Sequence, residues 1–107
     1  MRLLTLQYNA YTYTEFTTTP ATMISPVNGS TLTSASTTFT WNAVSGASIY
    51  YLWVGTTPGG HDLENAGLTG TSFTANLPTN GAPLYVRLYS MIRGTLQYNA
   101  YTYTEAN

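Results

Sequence analysis

An all-β antiparallel sandwich of about seven strands, preceded by one spare strand, is the architecture this sequence predicts. Three observations carry that expectation. Apolar and aromatic residues alternate with polar ones in short runs. The residue supply favours strands. The chain also opens with a copy of its own last strand.

Each strand can be justified in order. Residues 21–32, ATMISPVNGSTL, give a short edge segment: Pro26 lacks a ladder donor and Asn28-Gly29 marks a turn. In residues 36–42, STTFTWN, Phe39 and Trp41 fall on one side. Residues 48–55, SIYYLWVG, form the strongest strand, with Tyr50, Leu52 and Val54 on one face and Tyr51 and Trp53 on the other. Thr57-Pro58-Gly59-Gly60 ends it. Residues 61–70 read as a loop with a weak strand, and 72–76, SFTAN, as a further short strand. After the Leu77–Gly81 corner, residues 83–91 set Leu84, Val86 and Leu88 against Tyr85, Arg87 and Tyr89. Arg93-Gly94 turns into the last strand, 96–104. No segment keeps a 3.6-residue apolar period, so no substantial helix is expected.

The repeat is the most specific feature. Residues 6–15 and 96–105 both read LQYNAYTYTE, and Thr5 and Thr95 extend the match. The offset of 90 residues is about one small domain. Phe16-Thr17-Thr18-Thr19-Pro20 reads as a linker. The expected organisation is therefore residues 1–19 as duplicated strand plus linker, and 20–107 as the domain proper.

Composition narrows the function classes. The 107 residues suit one domain with one modest core. Charged residues are 7% of the chain, against about 25% in an average protein. The cations are Arg2, Arg87 and Arg93, with no lysine, and the net charge is −1. Nucleic-acid binding needs clustered cations, so it is not expected. No window approaches 18 consecutive apolar residues, and no membrane insertion is expected. Met1-Arg2-Leu3-Leu4 starts like a leader but its apolar run stops at once; a secretion signal is expected outside these residues. With no cysteine there is neither disulfide nor thiolate chemistry.

FTWNAVSGASIYYLWVG, then LPTNGAPLYVRLYS, then the closing TYTYT-like strand resemble the fibronectin type III-like β-sandwich module of tandem-repeat secreted bacterial proteins, within the immunoglobulin-like class. The resemblance covers residues 20–106 and implies that Trp41 fills the core. It implies that Leu77 to Gly81 form the corner before the strand patterned Leu84-x-Val86-x-Leu88, with Leu84 where the family carries a core tyrosine. It also implies that the last strand of one module runs through a Thr/Pro linker into the TPATM of the next, which residues 6–25 match in order.

The sequence offers little for catalysis. His61, Asp62 and Glu64 form the one titratable cluster, better read as a solvated loop than as a metal site. A lone histidine and no nucleophile elbow argue against a triad. Glu15 and Glu105 sit at strand ends, so paired carboxylates in a cleft are not expected. Asn28-Gly29-Ser30 fits a glycosylation sequon but is better read as a turn. No catalytic residue, metal or cofactor is expected, and the chain is not expected to be an enzyme.

Two surfaces remain. Tyr51, Trp53, Tyr85, Arg87 and Tyr89 should share one sheet face, where rings could stack on sugars and the guanidinium could donate to hydroxyls; a carbohydrate-binding module is the alternative function, and a glycan array with Trp53→Ala as control separates it. The other surface is the copied strand, Leu6, Tyr8, Tyr11 and Tyr13 in one copy and Leu96, Tyr98, Tyr101 and Tyr103 in the other. Both copies fit one slot, and the loser is an uncharged strand with unpaired backbone groups. The leading expectation is an extracellular or cell-surface structural and adhesion module, whose partner is a second copy of itself through strand exchange or edge pairing. A further alternative is an engineered strand-swap or switch.

Overall fold

The computed structural model describes residues 19–107. They hold β1 (Met23–Ser25), β2 (Ser36–Trp41), β3 (Ala47–Gly55), β4 (Glu64–Leu68), β5 (Ser72–Asn76), β6 (Pro83–Ile92) and β7 (Thr95–Thr104), with no helix among the described residues. The strands form two antiparallel sheets, one of order β1-β2-β5 and one of order β4-β3-β6-β7. The second copy of the repeat thus occupies the place beside β6. The first copy, residues 6–15, lies outside the described residues, as do Leu6, Tyr8, Tyr11 and Tyr13.

Period-two alternation builds the core. Tyr50, Leu52 and Val54 of β3 and Leu84, Val86 and Leu88 of β6 face Phe39 and Trp41 of β2, and all are buried. Each such side chain contributes about 1.5–3 kcal/mol of burial. The rings meet edge to face: Trp41 on Tyr50 and Phe39 on Tyr103, each at 5.9 Å between centroids. Buried hydroxyls find partners. Tyr50 accepts the Val44 N–H at 2.9 Å, and Tyr103 donates to the Pro26 carbonyl at 2.9 Å. Burial pushes the Tyr103 phenol well above its usual range. Leu84 is fully buried, so the core at that position is apolar.

Local propensity does not explain every strand. β4 reads ENAGL, with no β-branched or aromatic residue, yet it pairs with β3 from Tyr50↔Leu68 to Val54↔Glu64. The strong neighbouring strand supplies the template that the sequence of β4 lacks. In the small sheet, Thr38 and Thr74 stand opposite each other and their hydroxyls bond at 2.8 Å.

Candidate functional site

The outer face of the four-stranded sheet gathers the five residues read from the sequence. Register places Tyr51 opposite Tyr89, Trp53 opposite Arg87, and Gly55 opposite Tyr85. β7 adds Tyr98, opposite Tyr89, and Ala100, opposite Arg87. The rings pack on one another. Trp53 and Tyr89 lie 4.7 Å apart at 60°, Tyr89 and Tyr98 5.1 Å apart at 45°. Tyr89 is only 8% exposed. The Arg87 guanidinium sits 4.3 Å above the Tyr98 ring and donates to the Tyr89 hydroxyl at 3.3 Å. That bond holds its pKa above the usual value. A groove of about 250 Å³, lined by Pro58, Tyr85, Arg87, Ala100 and Thr102, opens beside it.

The β3–β4 loop closes one side of this face. Asp62 accepts the Thr56 N–H at 2.9 Å and the Thr56 hydroxyl at 2.8 Å. This clasp sets His61 on Trp53, 4.5 Å between rings. His61, read as a loop residue, therefore belongs to the aromatic cluster. Among the described residues no three His, Cys, Asp or Glu side chains are grouped to hold a metal ion. The Thr56 backbone bond and then its hydroxyl bond hold the Asp62 carboxyl below the usual carboxylate range. A lowered folded pKa gives stability that is present above the unfolded value and lost as pH falls through the folded one. The clasp is thus expected to loosen below the ordinary range near 3.8, seen as a change in Trp53 fluorescence that Asp62→Asn produces already at neutral pH.

The second feature is the slot that β7 fills. All ten residues Thr95–Thr104 pair with Ile92–Pro83. Their inward side chains also lock the first segment of the domain. Asn99 Nδ2 donates to the Ala21 carbonyl at 3.0 Å, Tyr101 accepts the Met23 N–H at 2.8 Å, and Tyr103 reaches Pro26. Glu105, read as an acid at a strand end, is 2% exposed and its Oε1 accepts the N–H of Asn80 at 2.9 Å and of Ala82 at 3.3 Å. By contrast, Leu96 and Tyr98 point outward and are each 44% exposed. The sequence treated the four repeat residues as one set; two-residue periodicity divides them into Leu96 and Tyr98 outside and Tyr101 and Tyr103 inside.

The outer edge of β7 is half covered. Thr102 N–H donates to Asn28 Oδ1, and Gly29 N–H donates to the Thr102 carbonyl. Thr104 exchanges backbone bonds with Ser30 and Leu32. The same alternation turns the backbone groups of Leu96, Tyr98 and Ala100 outward. Among the described residues, no backbone group bonds to those three along that edge.

An Fn3-like protein from Clostridium thermocellum superposes with a TM-score of 0.56, at 18% identity, over 82% of this chain and 92% of that one. The fold is Fn3-like. No protein-family model and no curated protein matches the chain. At that identity the likeness describes the fold, and function has to be argued from the Fn3-like domain's own surfaces.

Proposed function

We propose that this Fn3-like domain is a non-catalytic structural and adhesion module of an extracellular surface, and that its duplicated strand joins one copy to another. One observation carries the reading. Every side chain with which the last strand docks recurs in the first copy: Asn9 for Asn99, Tyr11 for Tyr101, Tyr13 for Tyr103 and Glu15 for Glu105. A random apolar strand would fill the sheet edge. This one also carries the groups that hold Ala21, Met23, Pro26, Asn80 and Ala82. The low charge leaves no repulsion to oppose pairing. Light scattering on the full chain and on a chain lacking residues 1–19 tests it. The full chain should show a mass that rises with concentration, and the shortened chain a monomer. Equal masses would sink the reading.

Glycan binding on the outer face is the second proposal. The groove beside Tyr85 supports it, as does Arg87, which meets the Tyr98 ring and the Tyr89 hydroxyl and, among the described residues, no carboxylate. The tilted rings, packed on each other, favour it less than a flat exposed platform would. A natural or a designed origin of the repeat leaves either mechanism unchanged.

A further inference from the structure

Resting on the self-association reading, we infer that copies join by exchange of the whole last strand, head to tail and in an open-ended line. Pairing of spare strands along the free edge is the weaker arrangement. Among the described residues, that edge offers Leu96, Tyr98 and Ala100, because residues 28–32 already cover Thr102 and Thr104. The slot offers a ten-residue ladder and all the inward docking contacts.

Exchange replaces like with like, so the connections of the two copies decide the balance. The resident copy is tied to β6 by a two-residue turn, with Ile92 paired to Thr95. Both turn residues have positive φ, 52° at Arg93 and 83° at Gly94. A hairpin of this shape favours Asn-Gly, and a long L side chain in the left-handed region is strained. The resident strand therefore has proximity on its side and turn strain against it. A short strained hinge is the condition under which a strand swaps. The spare copy is preceded by a different sequence, Arg2, Leu3 and Leu4 in place of Ile92, Arg93 and Gly94, without the Arg-Gly pair.

Polarity follows from the two ends of the domain. Ala21 is bonded to Ser90 Oγ near the end of β6, whereas Ala106 accepts the Gly81 N–H just before its start. The first and last segments thus leave from opposite poles, on the order of 25 Å apart at about 3.4 Å per strand residue. The first segment also runs in the direction of β7, since Ala21, Met23 and Pro26 meet Asn99, Tyr101 and Tyr103 in turn. A donated strand reaches the far pole of its host, and four residues, Phe16 to Thr19, then lead to Pro20 of the donor. Three threonines before a proline favour extended backbone. The next domain continues along the same axis. A reciprocal pair would need the link to reverse within those four residues, without Gly or Asn to turn it.

The chain has no cysteine, so an introduced pair reports the contact. Met91 stands opposite Leu96, whose counterpart is Leu6. The full chain with Leu6→Cys and Met91→Cys should give, on oxidation, a non-reducing ladder of dimers, trimers and longer species that grows with concentration. Adding Arg93→Asn should lower the cross-linked fraction about fivefold by relaxing the turn. Adding Tyr103→Ala should raise it, and Tyr13→Ala should lower it, because each weakens one copy only. Association without this cross-link would overturn exchange and leave edge pairing. A ladder ending at dimers would overturn the polarity. A chain monomeric at every concentration would remove the self-association reading itself.

Discussion

Trp41→Ala is expected to cost about 3–5 kcal/mol, the usual range for deleting a large buried ring. The indole is 1% exposed, lies between the sheets and meets Tyr50 edge to face. A domain of this size is stable by about 5–15 kcal/mol, so most of its margin would go. A urea titration followed by circular dichroism should show the midpoint fall sharply or the folded baseline vanish. An unchanged midpoint would mean that Trp41 is not the core anchor. Trp41→Phe makes the sharper comparison. The indole Nε1–H is buried with no hydrogen-bond partner among the described residues, so the ring carries an unsatisfied donor. Removing that donor offsets part of the cavity, and the loss should be only about 1 kcal/mol.

Gly55→Ala should be the next most damaging substitution, at about 2–3 kcal/mol. A Cβ on Gly55 would lie 2.5 Å from the Gly60 carbonyl carbon and 2.6 Å from its oxygen, closer than real contacts allow. The obstacle is backbone, so the whole β3–β4 loop has to shift. That would break the Asp62 clasp on Thr56 and lift His61 from Trp53. Denaturation and the ring-proton shifts of His61 would report the two effects together. A variant with the native midpoint and native His61 shifts would show that the loop does not bear on Gly55.

Those two sites differ in how far the sequence revealed them. Trp41 followed from alternation with Phe39, and the faces of β3 and β6 followed from the same period, because burial on one side leaves a regular mark. The shared outer face of Tyr51, Trp53, Tyr85, Arg87 and Tyr89 is legible for the same reason, given that β3 and β6 are neighbours. Gly55 looked like a strand end, since its close approach to Gly60 is made by a loop fold that no local pattern encodes. The repeat accounts for Tyr98 in the sequence, but its place in the aromatic cluster leaves no local mark, because the β6–β7 register is what sets it opposite Tyr89. Glu105 was the least legible. A carboxylate after a strand usually reads as solvated, and its burial depends on the N–H groups of Asn80 and Ala82, more than twenty residues away.

The stitching of the first segment to the last strand has a mechanical consequence. Because those segments run side by side and depart from opposite poles, tension applied through both ends acts along the strands. The bonds from Asn99, Tyr101 and Tyr103 to residues 21–26 would then be loaded in shear and would have to fail together, whereas a hairpin peeled from one end opens bond by bond. Forced rupture is governed by the unfolding barrier. A row of such domains would carry load along its length, and the segment that admits a neighbour's strand would also be the one that bears the pull.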